Sequence, residues 1–337
     1  MPGIDLFVIG GSAGGLTALL TLVRGLPADL DAALCAAIHT SPDSPGLLPE
    51  IIARSTSLAC EYVRDGETLA PGRIYCAPVD RHLLVEGNQL RVTRGPRENG
   101  FRPAVDPLFR TAARSFGARA AGIVLSGSLA DGSFGLALIK QAGGTALVQD
   151  PDEALIPSMP RSALRSVEVD YVVSAAEMAP LIVQLAGKVS KGGARMSAHS
   201  GSDGDPAERG TDLAIETPPG ALTPMTCPEC GGTLWEHEER RQISFRCHVG
   251  HAFNGESLLE YHSQKVESAL WTALRVLEEH AELQRRMAVR AESQQLAAAA
   301  RQFHRRADDS KRQAAVLRDA LLAAPGASEA GPPPEID

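Results

Sequence analysis

Short apolar runs alternate with stretches of helical period through the first 187 residues. The run DLFVI ends on glycine, and Leu16, Leu19, Leu20, Leu22 and Val23 then recur at roughly helical spacing, which predicts strand, tight turn and helix. AALCAAI at 32–38 reads as a buried strand, and GLLPEIIARS as a helix with Leu47, Leu48, Ile51 and Ile52 on one side. GRIYCAP and HLLVEGNQLRVTR predict antiparallel strands, the second stretch a hairpin turning at Gly87-Asn88. AGIVLSG at 121–127, TALVQD and YVV return to short buried strands. Together they predict an α/β fold, a doubly wound and mostly parallel sheet flanked by helices, with sites at the C-terminal strand ends.

The pattern changes twice. Residues 188–226 carry Gly, Ser, Pro and charge with no sustained apolar period, so they read as a flexible linker after a first domain spanning 1–187. A cysteine cluster defines a small module at 227–253, and 254–325 is a helical, coiled-coil-like region with Leu270, Leu274, Leu277, Ala281 and Leu283 three or four apart. The acidic, proline-rich 326–337 reads as a disordered tail.

Composition narrows the function classes. A chain of 337 residues with 44% hydrophobic content has ample material for a packed core. Its 33 basic and 41 acidic residues give a net charge of −8, which argues against a broad phosphate-binding surface, so nucleic acid is not expected as a partner. No apolar run reaches membrane-spanning length and no basic stretch precedes the first, so neither membrane insertion nor a signal peptide is expected, and the location should be cytoplasmic. The six cysteines then read as thiols or metal ligands rather than as a disulfide framework.

The first turn, GGSAGG, admits a phosphate cradle or a nucleophile. The dinucleotide fingerprint fails at its third place, which is Ser12 counted from Gly10 and Ala13 counted from Gly11; a P-loop fails because Leu16 and Thr17 follow Gly15. Gly10-Gly11-Ser12-Ala13-Gly14 does match G-x-S-x-G, the sharp strand-to-helix turn that exposes a serine hydroxyl, although Ser12 as a plain helix N-cap fits the same residues. His39 follows the second strand, and Asp131 lies directly after AGIVL in SGSLADGSFG, so three residues able to form Ser-His-Asp fall at one sheet edge. His39 would take the serine proton and Asp131 would fix the imidazole tautomer. The order serine, histidine, acid differs from that of α/β-hydrolases.

VIGGSAGG, IHTSPDSPGLLPEIIAR, PGRIYCAPVDRHLLV, RPAVDPLFRTAA, GIVLSGSLADGSFGL and AGGTALVQDPDEALIPSMP, in that order, resemble the catalytic domain of the chemotaxis protein-glutamate methylesterases, the CheB family, across roughly residues 4–187. The resemblance implies hydrolysis of glutamyl methyl esters on methylated chemoreceptors or similar signalling proteins, in some members deamidation of glutamines too, with no cofactor for catalysis. It assigns Ser12 as nucleophile, His39 as base and Asp131 as the orienting acid, and it puts the oxyanion against the backbone N–H groups of His39 and Ser128. The sequence departs from the family pattern at Ala13, Thr40, Ser128 and Leu129, where threonine, methionine and the last two positions of G-M-G are usual. Leu129 in place of glycine is expected to crowd the oxyanion loop, which keeps a noncatalytic scaffold or adaptor as the alternative. Typical members also carry an N-terminal receiver domain, whereas here the first strand begins at residue 5, so regulation is expected from the C-terminal module or a partner.

CPEC at 227–230 and CHVGH at 247–251 give C-x2-C-x16-C-x3-H, the spacing of a structural zinc held by Cys227, Cys230, Cys247 and His251. His248 is the rival fourth ligand, but its place next to Cys247 would turn it away in most turn geometries. CPECGG and FRCHVGHAF followed by a helix resemble the tails of stand-alone members of the same family. The helices beyond are expected to form an interaction surface or a dimerising coil, with Trp271, Leu274 and Leu277 as packing residues.

Overall fold

The computed structural model describes residues 3–187, 220–239 and 242–323. They divide into two units, one ending at Leu258 and the other beginning at Leu259. In the first unit the expected alternation is present: β1 (Leu6–Gly11), α1 (Gly15–Arg24), β2 (Ala33–Ile38), α2 (Leu48–Ala53), β3 (Ala59–Tyr62), β4 (Glu67–Thr68), β5 (Arg73–Cys76), β6 (His82–Glu86) and β7 (Gln89–Thr93). α3 (Val105–Phe116), β8 (Ala120–Val124), α4 (Ser133–Gln141), β9 (Thr145–Gln149), α5 (Ser158–Ser166), β10 (Tyr171–Val173) and α6 (Ala175–Ala186) follow.

Seven strands form one sheet in the order β10-β9-β8-β1-β2-β5-β3, with every neighbouring pair parallel. β1 and β2 are buried along their whole length, as their unbroken apolar runs require when helices cover both sheet faces. Ile4, Phe7, Leu19, Leu22 and Ile182 pack on one face; Leu6, Val8, Val105, Phe109 and Leu136 pack on the other. The chain winds outward from β1 through β2 and then back through β8, so the order reverses between β1 and β8. That crevice is where a doubly wound sheet binds its ligand.

Two expectations need correction. GRIYCAP is not antiparallel: β5 lies parallel between β2 and β3, because a run of three buried residues carries no information on direction. Leu47 does not share the buried face of α2; it precedes the helix and is 52% exposed. The hairpin is present, with β6 pairing β7 across Gly87 and Asn88.

The cysteine module is a four-stranded antiparallel sheet, β11 (Ala221–Thr226), β12 (Thr233–Glu239), β13 (Gln242–Cys247) and β14 (Ala252–Asn254). β11 occupies the end of the expected linker, so ordered structure begins before Cys227; Pro224 is tolerated because β11 is an edge strand. The rest of the predicted linker, 188–219, and the predicted tail, 326–337, lie outside the described residues.

α7 (Gly255–Ser293) runs on into the second unit, where α8 (Ala297–Ala323) follows it. Leu274, Ala281 and Ala288 on α7, and Ala300, Ala307, Ala314 and Leu321 on α8, are buried at intervals of seven, the seam of a coiled coil with small residues that let the backbones approach. Leu274 packs with Ala314 and Leu321. The helices bearing the stripe are expected to form an interaction surface or a dimerising coil; Leu274, with Leu270 and Leu277 beside it, packs instead against α8 of the same chain, so this seam gives no support for dimerisation. Leu283, included in that expected stripe, is 57% exposed and lies outside the seam.

Candidate active site

Strand register brings the predicted residues together. Gly11 lies opposite Ile38, so Ser12 and His39 are the first residues past two adjacent parallel strands. On the other side of β1, Gly10 pairs with Val124, and the Ser12 amide donates to the Ser126 carbonyl at 2.9 Å. Gly14, in the left-handed region at φ 79°, is the N-cap of α1, with no side-chain cap. Ser12 is therefore not the helix cap that the sequence left open, and its hydroxyl is not engaged there. A Cβ on Gly127 would lie 2.8 Å from Ser12 Cβ and 2.1 Å from Met159 Sδ, so the loop after β8 closes on the serine only because residue 127 lacks a side chain.

His39 Nε2 and Asp131 Oδ2 are 2.8 Å apart, with both side chains almost fully buried. A neutral imidazole that donates from Nε2 carries its lone pair on Nδ1. That Nδ1 is buried and without a hydrogen bond among the described residues, Ser12 included, which leaves it open to accept a proton. Such contacts commonly tighten only when substrate is bound. Phe101 stacks on the imidazole, ring centroids 3.6 Å apart and planes at 12°.

Asp131 sits at the N-terminus of α3. It accepts from the amides of Val105 at 2.7 Å and Asp106 at 3.1 Å and from Asn99 Nδ2 at 2.9 Å. Burial works against its ionisation, but the bonds from His39, Val105 and Asn99 outweigh it and hold the carboxyl below its ordinary value. Asp106 behaves oppositely. Burial and the charge of Asp131 push it well above the carboxylate range, although Gly135 N–H and Asn99 Nδ2 donate to it at 2.7 and 2.8 Å. One carboxyl is thus ionised to serve His39 while its neighbour stays neutral. His82 anchors the loop that delivers Asn99 and Phe101, with Nε2 donating to the Pro96 carbonyl at 2.9 Å and Nδ1 accepting from the Ala104 amide at 3.3 Å. Burial lowers its basicity and keeps it neutral in this role.

The oxyanion expectation is only half supported. The His39 amide donates to Gly11 O at 2.9 Å and is engaged in the sheet, so it is not the available donor expected of it. The Ser128 amide has no acceptor among the described residues, and neither does that of Ala13 beside the nucleophile. Leu129 takes φ 67°, the left-handed region that favours glycine. The leucine therefore keeps the glycine-type backbone of this loop and carries strain.

In the module, Cys227, Cys230, Cys247 and His251 present ligand atoms that all lie within 4.8 Å of one another. Cys227 Sγ and Cys247 Sγ are 3.7 and 3.6 Å from His251 Nδ1, and Cys230 Sγ is 3.6 Å from Cys247 Sγ. A tetrahedral ion with Zn–S near ~2.3 Å needs ligand separations of roughly that size, so the donor set fits structural zinc. Gly231 and Gly250, both at positive φ, close the two knuckles. His248 is exposed and outside the cluster.

Residues 7–182 match the family model described as CheB methylesterase. The chain belongs to the CheB methylesterase family. A Leptospira interrogans relative is 36% identical over 182 residues, 54% of this chain and 94% of its own length. The Anaeromyxobacter dehalogenans protein-glutamate methylesterase/protein-glutamine glutaminase 2 is 37% identical over 175 residues, 52% of this chain and 51% of its own. The crystal structure of the Thermotoga maritima CheB methylesterase catalytic domain superposes with a TM-score of 0.52 at 27% identity, covering 54% of this chain and 98% of that one. The CheB-like match ends before the cysteine module, so Asn99 and Phe101 lie within it while Asn254, which bonds Asn99, lies beyond. No described helix is long and apolar enough to cross a membrane.

Proposed function

We propose that this chain hydrolyses glutamyl methyl esters on chemoreceptor-type proteins and accepts glutamine side chains as a second substrate. The observation that carries the reading is the buried Asp131–His39 pair at the strand end next to Ser12, with Nδ1 left unbonded. His39 Nδ1 takes the Ser12 proton as Oγ bonds to the ester carbonyl carbon. The tetrahedral oxyanion faces the amides of Ser128 and Ala13. Its collapse breaks the C–O bond to the methoxy group, which leaves as methanol with the proton from His39. Water, deprotonated by His39, then attacks the acyl carbon, and Ser12 leaves with that proton, giving the glutamate carboxylate. With a glutamine substrate the same steps release ammonia. Side chains and water suffice, so no cofactor enters the reaction.

Zinc at Cys227, Cys230, Cys247 and His251 would be structural, since four protein ligands leave no open position. A cytoplasmic location belongs to the same reading, supported by six cysteines of which none is in a disulfide. The alternative, a noncatalytic scaffold, draws on the strained Leu129 and the engaged His39 amide. Methanol release from methylated chemoreceptors of the source organism decides between them. Release that Ser12→Ala abolishes and Asp131→Asn lowers by about 10⁴-fold supports the esterase; a wild type that matches Ser12→Ala makes the chain a scaffold.

A further inference from the structure

The CheB-like region ends near residue 182, yet the cysteine module reaches the catalytic acid through a short chain of hydrogen bonds. Its last strand pairs with the loop 97–99: the Asn99 amide donates to Ala252 O at 2.7 Å and the Ala252 amide to Arg97 O at 3.3 Å. Two residues on, the Asn254 amide donates to Asn99 Oδ1 at 2.9 Å, and Asn254 Nδ2 donates to Ala130 O, the carbonyl just before Asp131, at 3.1 Å. The carboxamide of Asn99 is thereby held with its oxygen toward the module and its nitrogen between Asp131 and Asp106. Asn99 is 2% exposed and sits at φ 49°, in the left-handed region that asparagine enters more readily than most side chains.

We propose that the cysteine module is a buttress for the triad, with Asn99 as the positioning residue that transmits its presence to Asp131. The inference rests on the esterase reading above. Asn254 lies three residues after His251, so the metal ligand and the residue that holds Asn99 share one short strand and its knuckle. Among the described residues the module buries only Cys227, Leu234, Phe245, Cys247 and Phe253 as apolar side chains, too few to order it without a metal. Loss of the metal releases β14, Asn99 loses the donor to its oxygen, and Asp131 loses the fixed N–H that sets the angle of its carboxylate to His39. Metal occupancy thus sets how well His39 is aimed.

The test uses the full-length protein and a serine-directed fluorophosphonate, whose labelling of Ser12 needs the triad but no receptor. Four samples are compared: zinc-loaded wild type, chelator-stripped wild type, Asn254→Pro, which removes the amide donor, and Asn254→Ala, which keeps that amide but removes the side-chain bonds to Ala130 O and from the Ser257 amide. The expected result is a labelling rate about 10- to 100-fold lower in the stripped protein and in Asn254→Pro, restored in the former by added Zn²⁺, with a smaller loss in Asn254→Ala. The far-downfield proton resonance of the His39–Asp131 hydrogen bond should broaden or shift in the same samples while far-UV circular dichroism retains the α/β signature. If Asn254→Pro does not fold, the stripping and re-addition series carries the test. Unchanged labelling and an unchanged downfield proton after complete zinc removal would overturn the buttress. Wild type that is never labelled would overturn the esterase reading instead.

Discussion

Phe101 lies flat against His39, ring over ring at 3.6 Å, while Asp131 holds the imidazole from its edge at 2.8 Å. The carboxylate fixes one atom of the ring; the phenyl face fixes its plane. An imidazole tethered at Nε2 alone can still swing about that bond, and Nδ1 would then sweep away from Ser12. Stacked aromatic pairs of this kind contribute about 0.5–1.5 kcal/mol beyond their buried area, enough to bias the ring toward one plane.

Removing the stack should therefore misaim the base without unmaking the fold. Phe101→Ala is expected to lower kcat about 10- to 100-fold, as misplacement of a reacting group does, with little change in KM. Phe101→Tyr keeps the stacked face and should retain activity within a few fold. Steady-state methanol release for the two variants checks this; equal losses in both would mean that the plane of His39 is held by something other than the ring.

Gly127 offers a sharper separation of stability from catalysis. The Cβ of Gly127→Ala would meet Met159 Sδ and Ser12 Cβ, so the variant should lose about 1–3 kcal/mol of stability through overpacking. It should also lose more than about 100-fold in activity as the nucleophile shifts. Adding Met159→Ala removes the first clash and leaves the second. The double variant is expected to regain part of its unfolding midpoint and none of its Ser12 labelling. Recovery of both together would show that the serine is not what Gly127 accommodates.

Leu129 holds a backbone conformation that costs an L-residue about 1–2 kcal/mol. Leu129→Gly removes that strain but loosens the unfolded chain and gives up half-buried side-chain area, so its net effect should stay within about 1 kcal/mol of wild type. Leu129→Val, β-branched at the same positive φ, should fall below both in melting temperature. Thermal unfolding of the three proteins gives the ranking, and valine equal to or above glycine would remove strain from the account of this loop.

What the sequence revealed of this site follows from what each residue's position depends on. Ser12 and His39 were legible because each ends an unbroken apolar run, and a parallel sheet brings such ends to one edge. Asp131 was legible for the same reason after β8. The direction of β5 was not, since three buried residues pair equally well either way. Asn99, Phe101 and Asp106 were invisible as functional residues because no local period points to them; a loop pinned by His82 and paired with β14 carries the first two, and tertiary docking is not written in spacing. The engaged His39 amide shows the converse, a role implied by resemblance that the ladder to Gly11 withholds. In the cysteine cluster, spacing did suffice to pick out the residues that converge, because four ligands within one small sheet have few other ways to meet.

The loop that carries Asn99 also contributes Glu98 to a half-buried ion pair whose behaviour with pH has a definite sign. Glu98 accepts from Arg110 through two nitrogens, at 3.0 and 3.1 Å, and Arg246 adds positive charge nearby. Burial raises its carboxyl, but Arg110 outweighs burial and leaves it below its ordinary 4.5. A folded value below the unfolded one means that the stabilisation is fully present above pH 4.5 and is lost as pH falls through the folded value. Glu98→Gln removes the negative charge facing Arg110 and should lower stability at neutral pH by about 2–3 kcal/mol, less than for a fully buried pair because both side chains keep some solvent contact. The deficit relative to wild type should narrow progressively below pH 4.5, where wild type loses the same charge. Urea unfolding of both proteins across that range measures it. A deficit that stays constant with pH would mean that Glu98 acts through its shape and hydrogen bonds, and that the charge of Arg110 is balanced elsewhere.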